Sequence, residues 1–220
     1  MTNTPSATRS PCRTTTMTKA EIEKRLKERL SPDLYRHSVS TQNMAEELAG
    51  IYNIDREKAS LAGLLHDCAR GMSNKELRLY ASRYNMLMDE IQLNQPVLLH
   101  APVAAKIAQA EFGVEDNEIL HAIEVHCTGS SPMSTLDKVL YVSDSSEPDR
   151  DYPGVQRIRE LAYSGDLDGA LLEAMDLKII YVTERKLILH PMSVEARNEV
   201  LQERRQALEG LSKGRYVIGT

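Results

Sequence analysis

Apolar residues recur at the spacing of α-helices along most of the chain. One stripe follows a Ser-Pro helix cap and comprises Leu34, His37, Thr41, Met44, Leu48 and Tyr52. The next run, residues 59–65, is apolar on every side, which is typical of a helix in the centre of a protein. Because no segment shows the two-residue alternation of a strand, the pattern predicts an all-α protein.

Capping residues predict where the helices begin. Capping boxes start at Thr18, Ser73 and Ser134, and Asp55 and Asp116 are further N-caps. Two further helices have both ends predicted: one begins at Pro102 and ends near Gly113, and one follows Asp116 and ends near residues 128–129. Four more helices are expected over residues 134–146, 155–163, 167–186 and 194–210.

The first 16 residues are rich in Thr and Ser, contain no acidic residue and lack the apolar segment of a secretory signal. We expect residues 1–17 to form a disordered extension, with Met17 as an alternative start and a transit peptide as the second interpretation. The 220 residues suit one domain, which we place at residues 18–210, followed by a tail over residues 211–220.

Composition narrows the classes of function. With no Trp and one Phe, the core must be mainly aliphatic. The net charge of -5 argues against binding to DNA or RNA, which favours a basic surface. No apolar run has the length that a membrane span needs. Three cysteines without paired spacing indicate the reducing cytoplasm rather than a disulfide framework.

Polar residues interrupt the apolar pattern at three places. His66 and Asp67 follow the buried run directly, where a carboxylate is costly unless it is paired or binds metal. His37 lies on the inward stripe, and Asp144 ends another apolar run. Two imidazoles and two carboxylates suit a first-row divalent metal. From spacing alone, a hydrogen-bonded core histidine and an ion pair between Asp144 and Arg150 remain alternatives.

The order of these residues matches the H…HD…D signature of the HD-domain metal phosphohydrolases. Further stretches resemble motifs of the symmetrical diadenosine tetraphosphate (Ap4A) hydrolases within that family: residues 35–38, 62–67, 98–103, 126–129, 133–138, 144–150 and 190–198. The resemblance implies an HD-domain helical bundle and hydrolysis of Ap4A, a dinucleoside polyphosphate, to two ADP.

The resemblance also implies roles for individual residues. The expected metal ligands are His37, His66, Asp67 and Asp144, of which His66 and Asp67 would also be catalytic. His100 and His126 would hold either the substrate phosphates or a second metal ion. The expected metal is iron, and one ion or two remains open. A homodimer is compatible with the resemblance.

Substrate binding is expected from Arg70, Thr128, Gly129, Arg150, Pro191 and Arg197. Arg70 follows His66 by one helical turn and would share its face. Two positions depart from the family pattern: Cys127 stands where Thr is common, and Ser130 where a basic residue often occurs. We interpret Cys127 as a small buried residue and His121 as a structural or surface residue.

Two other functions remain open at this stage. One is an HD phosphohydrolase that acts on another nucleotide, such as a dNTP or a signalling nucleotide. The other is a nucleotide-sensing protein with little turnover, although a pure sensor has no need of the complete ligand set. Fold membership alone does not decide the substrate.

Overall fold

The computed structural model describes residues 15–214, with side chains described up to residue 207. Within this range the chain forms eleven α-helices and one short 3₁₀ helix, and contains no strand beyond an isolated bridge between Thr15 and Val114. The all-α prediction is therefore confirmed.

The helices follow one another with short connections. Their bounds are α1 Lys19–Arg29, α2 Pro32–Ile51, α3 Arg56–Leu65, α4 Asn74–Arg83, α5 Glu90–Asn94, α6 His100–Phe112, α7 Asn117–Val125, α8 Thr135–Ser146, α9 Val155–Tyr163, α10 Leu167–Glu184 and α11 Pro191–Gly214; the 3₁₀ helix is Pro96–Leu99.

The core forms around α3, as its all-round apolar sequence predicts. This helix packs against α2, α6, α7 and α8, and its last residues Leu64 and Leu65 are buried. Aliphatic side chains make up most of the core, and Phe112 and Tyr141 are its largest fully buried members. The C-terminal end of α3 is thereby held in the centre of the bundle. No helix in the described part of the chain is long and apolar enough to cross a membrane.

The predicted caps are present. Thr18, Ser73 and Ser134 each form a complete capping box, and Asp55 and Asp116 accept hydrogen bonds from the first backbone amides of α3 and α7. These interactions join residues that are two or three positions apart, which is why the sequence reveals them.

Several boundaries differ from the predictions. Helix α6 begins at His100 rather than Pro102, because the 3₁₀ helix runs directly into it and Leu99 already has helical backbone angles. Pro102 lies in the first turn of α6, where its missing N–H breaks no helical hydrogen bond. Helix α7 ends at Val125, before residues 128–129. Helix α10 ends at Glu184, and α11 begins at Pro191 rather than at residue 194.

The described structure includes residues on both sides of the expected domain, residues 18–210. The prediction for residues 1–17 falls mostly outside the described residues. Thr16 donates a backbone hydrogen bond to the Gly113 carbonyl (3.2 Å), and Met17 packs against the core. At the other end, α11 continues to Gly214. The domain bounds of residues 18–210 stay a prediction.

Candidate functional site

The four predicted metal ligands meet in the centre of the bundle. His37 comes from α2 and Asp144 from α8, while His66 is the C-terminal cap of α3 and Asp67 lies in the turn that follows. Both residues thus lie just past the last residue of α3 rather than within it. Because α3 ends at Leu65, the turn that follows can bring His66 Nε2 and Asp67 Oδ2 within 3.6 Å of each other.

The first group of donor atoms surrounds His37. Its Nε2 atom lies 3.2 Å from His66 Nε2 and 3.0 Å from Asp144 Oδ1. The Oδ2 atom of Asp67 lies 3.8 Å from His37 Nε2 and 3.6 Å from His66 Nε2. His66 Nε2 also lies 3.6 Å from Asp144 Oδ1. All four expected ligands thus direct a donor atom into one small space.

A second group of donor atoms lies on the other side of Asp67. His100, the first residue of α6, and His126, directly after α7, place their Nε2 atoms 3.2 Å apart. The Oδ1 atom of Asp67 lies 3.3 Å from His100 Nε2 and 3.6 Å from His126 Nε2. Asp67 therefore stands between two histidine pairs and offers one oxygen to each.

Hydrogen bonds fix the orientation of all four imidazole rings. The Nδ1 atoms of His66 and His126 donate to the carbonyls of Gly63 (2.8 Å) and Ile123 (2.7 Å). His100 Nδ1 donates to the Val97 carbonyl in the same way. His37 Nδ1 lies 3.1 Å from Glu147 Oε1. With the proton assigned to Nδ1, each ring turns its Nε2 lone pair toward Asp67.

These donor atoms fit a divalent metal. Ligand atoms that bind one ion at about 2.1 Å lie roughly 3.0–3.4 Å apart, close to the separations between the paired Nε2 atoms. Asp67 Oδ1 is buried and has no hydrogen-bond partner among the described residues. A buried carboxylate oxygen without a partner is costly, and a bound cation would remove that cost.

The charges of the site shift the pKa values of its members. Burial lowers the pKa of His37, but hydrogen bonds to Asp144 and Glu147 outweigh it and raise this pKa to about 9. Burial raises the pKa of Asp67, but the neighbouring His66, His100 and His126 hold it well below its usual range. Opposite charges therefore stabilise each other at the centre of the bundle, where a metal ion would take the place of the histidine protons.

Cys127 also belongs to the second group of donor atoms. The sequence analysis did not predict this role for Cys127. Its Sγ atom lies 3.0 Å from His100 Nε2 and 3.3 Å from His126 Nε2. Burial raises the pKa of this thiol, but the two imidazoles outweigh it and hold the pKa well below its usual range. The expectation that Cys127 is buried is confirmed. The residue does not only fill space in the core, because its sulfur contacts two candidate metal ligands. Its position directly after His126 was the available signal.

Glu147 was also missed as an individual site residue. Its side chain is 2% exposed, and it orients His37 from behind through the Nδ1 atom. Arg150 lies at the rim, 40% exposed, and its Nη2 atom donates to Asp144 Oδ1 (2.8 Å). The ion pair that was an alternative to metal binding by Asp144 thus exists beside the donor cluster. Arg150 Nη2 and His37 Nε2 both contact the same Oδ1 atom of Asp144, at 2.8 Å and 3.0 Å, and lie 3.3 Å from each other.

Arg70 lies close to the second group of donor atoms, but the local structure that places it there differs from the predicted helix. Residues 66–70 form turns rather than a helix, so the argument from one helical turn is wrong. The Arg70 side chain is nevertheless close to the site, with Nη1 3.3 Å from His100 Nδ1. Since Arg70 is exposed, its guanidinium group can also contact a ligand from solvent.

Two cavities adjoin the cluster, and Lys178 on α10 lines both. The larger has a volume of about 610 Å³, and its lining includes Asp144, Arg150, Tyr152 and Tyr181. The smaller, of about 50 Å³, is lined by residues of the second group and of the segment before α11, including Cys127, Thr128, Tyr141, His190 and Ser193. No sequence pattern singled out Lys178, because it lies within a helix whose apolar and polar positions are mixed.

Three further residues expected at the substrate, Thr128, Gly129 and Pro191, lie in the lining of the smaller cavity or next to a lining residue in sequence. Thr128 lines it, and Pro191 begins α11 just after the lining residue His190. Gly129 has a φ of 73° and packs so closely that an added Cβ would lie 2.9 Å from the Ala196 Cβ atom. Gly129 therefore serves the packing of α11.

Arg197 and His121 each pair with a carboxylate outside the cluster. Arg197 Nε donates to Asp176 Oδ1 on α10 (2.7 Å), so its guanidinium group joins α10 to α11. His121 Nδ1 lies 3.1 Å from Asp137 Oδ1, and its side chain is 48% exposed. The structural or surface interpretation of His121 agrees with this position.

Comparison with known proteins agrees with this geometry. A protein-family model described as the HD domain matches residues 34–149, a range that contains all six histidine and aspartate ligand candidates. The symmetrical bis(5'-nucleosyl)-tetraphosphatase of Halalkalibacterium halodurans is 32% identical over 180 residues, which cover 82% of this chain and 95% of the relative. The symmetrical bis(5'-nucleosyl)-tetraphosphatase of Bacillus subtilis is 36% identical over 166 residues, which cover 76% of this chain and 88% of the relative.

A solved structure has the same fold. It is the crystal structure of a predicted HD superfamily hydrolase involved in NAD metabolism from Clostridium acetobutylicum. The TM-score is 0.82 at 34% sequence identity, and the match covers 85% of this chain and 98% of that one.

Proposed function

Because the chain belongs to the HD-domain family and, within it, to the symmetrical bis(5'-nucleosyl)-tetraphosphatases, we propose that it hydrolyses Ap4A symmetrically to two ADP. The observation that carries the proposal is the convergence of four histidine Nε2 atoms on Asp67. This cluster lies beside a cavity that Asp144 and Arg150 line.

The donor atoms would hold two divalent ions. His37, His66, Asp67 and Asp144 would bind the first, and His100 and His126 would bind the second, with Asp67 shared through its two oxygens. Such ions lower the pKa of a coordinated water and polarise a phosphoryl oxygen. Iron is the proposed metal, because imidazole and carboxylate ligands together suit a first-row ion of this kind.

The cations around the cluster would bind the polyphosphate. Hydrolysis of a phosphoanhydride spreads negative charge over the equatorial oxygens of the reacting phosphate. Arg150 and Arg70 stand next to the first and second donor groups respectively, and Lys178 lies between the two cavities. Cations on several sides can hold the phosphate chain so that its middle lies at Asp67, which is what symmetrical cleavage requires.

The larger cavity would receive one adenosine. Its lining combines the aromatic rings of Tyr152 and Tyr181 with the apolar side chain of Leu177, surfaces against which a purine can stack. Its volume of about 610 Å³ is within the range of small-ligand sites. Thr128 and the segment before Pro191 would border the nucleotide on the other side of the cluster.

Product analysis tests the activity. We would purify the protein anaerobically, measure its metal content and incubate it with Ap4A, separating the products by chromatography. The expected result is two equivalents of iron per chain and ADP as the sole product. Formation of AMP and ATP would contradict symmetrical cleavage. Bound metal without ADP would redirect the search to other nucleotides, and tight Ap4A binding without turnover would favour a sensor.

Replacement of the shared carboxylate tests the site. We expect Asp67→Ala to lose activity by at least about 100-fold, because the variant removes a group that contacts both donor groups. Metal content should fall while the circular dichroism spectrum stays helical. His121→Ala is the matched control, since it removes an imidazole outside the cluster. Retained activity in Asp67→Ala would refute the proposed centre.

The proposal extends to the setting of the enzyme. We place it in the cytoplasm, in keeping with two buried free cysteines in the described residues. We also propose a homodimer, which light scattering would test by giving twice the mass of the chain.

A further inference from the structure

Cys127 makes two short contacts that core packing does not require. Its Sγ atom is 3.0 Å from His100 Nε2 and 3.3 Å from His126 Nε2. Both rings have their Nδ1 atoms bound to backbone carbonyls, so Nε2 is the atom that each ring leaves free for a ligand. A thiol has one hydrogen and can donate it to only one of the two nitrogens.

The three donor atoms form a compact set. One atom each from His100, His126 and Cys127 lies within 4.8 Å of the others, and all three residues are buried. Asp67 Oδ1 faces the same two imidazoles at 3.3 Å and 3.6 Å and has no hydrogen-bond partner in the part of the chain that the structure describes. Two nitrogens, one sulfur and one oxygen therefore surround the same point, and each of these donor types binds zinc in tetrahedral protein sites.

We propose that Cys127 is a thiolate ligand of a metal ion bound by His100, His126 and Asp67. This proposal rests on the proposed function in one respect: it requires the second metal ion, the one assigned to His100 and His126. On binding, the thiol proton passes to solvent and a metal–sulfur bond forms. A thiolate selects softer ions, so this position should prefer Zn²⁺ or Fe²⁺ to Mn²⁺ or Mg²⁺. The two ion positions of this chain would then differ in the metals that they accept.

X-ray absorption spectroscopy tests the proposal directly. We would load the Cys12→Ser variant with zinc, so that only two cysteines remain, and record the zinc edge. We expect a sulfur neighbour at about 2.3 Å. It should disappear in the added Cys127→Ser variant, which has nearly the same size. It should persist in the added Cys68→Ser variant, because Cys68 is buried elsewhere and donates to the Ala104 carbonyl.

Metal titration gives a second measurement. Cys127→Ser should bind the second ion more weakly than its parent, by a factor of more than about 10, because even groups that only support a ligand change affinity by this much. Binding of the first ion should not change. Equal affinity of both ions in parent and variant would overturn the proposal. Should Cys127→Ser fail to fold, the zinc spectrum of the parent alone still decides.

The outcomes separate this inference from the proposed function. A sulfur neighbour in a protein that forms no ADP supports the thiolate ligand and contradicts the hydrolase. ADP formation by a protein with two ions and no sulfur neighbour contradicts the thiolate ligand and supports the hydrolase. A single bound ion without sulfur contradicts the thiolate ligand and the second ion, whatever the product.

Discussion

Lys178 shows how one side chain can connect the two cavities of the site. It is half-buried, and its ammonium group lies 5.4 Å from the centre of the Tyr141 ring. Burial lowers the pKa of Lys178, but Tyr141, Cys127 and Asp144 together raise it above its ordinary value. Since no described carboxylate forms a salt bridge with it, the charge is available to an anionic ligand.

The first prediction concerns this lysine. Lys178→Met keeps the length of the side chain but removes the charge. We expect kcat/KM for Ap4A to fall by roughly 10- to 150-fold, since a hydrogen bond to a charged group contributes about 1.5–3 kcal/mol. Steady-state kinetics would measure it, and metal content should not change. Lys75→Met, an exposed lysine of α4, is the control; equal kinetics in the two variants would show that Lys178 does not contact the phosphates.

At the scale of elements, the position of His126 depends on how α7 is held. Asp116 caps this helix by accepting hydrogen bonds from the Glu118 and Ile119 amides. The same carboxylate accepts a salt bridge of 2.9 Å from Lys58 on α3. The cap therefore joins α7 to the helix that carries His66, and both helices end at the donor cluster.

This cap predicts a dependence of stability on pH. Burial raises the pKa of Asp116, but Lys58 and the cap hydrogen bonds outweigh it and lower the pKa below its ordinary value. The ionised carboxylate thus stabilises the fold above about pH 4, and that contribution is lost as pH falls through the lowered pKa. Asp116→Asn keeps a capping side chain but not the charge.

Urea unfolding at two pH values measures the effect. At pH 7, Asp116→Asn should be less stable than the parent by about 1 kcal/mol, because the ion pair is partly exposed. The difference should shrink when the pH is lowered to about 3. Asp33→Asn, whose side chain is 84% exposed, is the control. A difference that does not change with pH would assign the stabilisation to the cap alone.

The long helices could be predicted because their signals are local. Capping boxes and apolar stripes involve residues within a turn or two of each other, as at Thr18 and Ser134. Helix α5 and the 3₁₀ helix are too short to carry a stripe, so they were missed. The turn after α3 could not be predicted for another reason: neither Gly nor Pro follows Leu65 directly, and the first such residue is Gly71.

The site was predictable in part. The ligand residues carry a recognisable order along the chain, and the structure brings them together. Glu147 acts on His37, which is 110 positions away, and Cys127 contacts His100, which is 27 positions away. Arg197 was expected at the substrate, but Asp176 binds its guanidinium group. Pairings of this kind are decided by helix packing, which periodicity does not specify.

For the whole molecule, the donor cluster lies where α2, α3, α6, α7 and α8 meet. His37 comes from the first of these helices and Asp144 from the last, so the cluster exists only when the bundle is assembled. An ion that binds the folded cluster and not the unfolded chain stabilises the fold by mass action. The metal should therefore hold the five helices together as well as serve the chemistry.

Metal removal tests this coupling. Each ion at about 100 times its dissociation constant contributes about 2.7 kcal/mol. The two proposed ions together correspond to a rise in Tm of roughly 10–20 °C for a domain of this size. We expect chelation to lower the Tm by that amount and added Fe²⁺ to restore it under anaerobic conditions. In Asp67→Ala neither treatment should shift the Tm appreciably, which excludes binding elsewhere on the surface. If the parent protein melts at the same temperature with and without metal, the cluster is assembled by the helices alone and its ions contribute nothing to the fold.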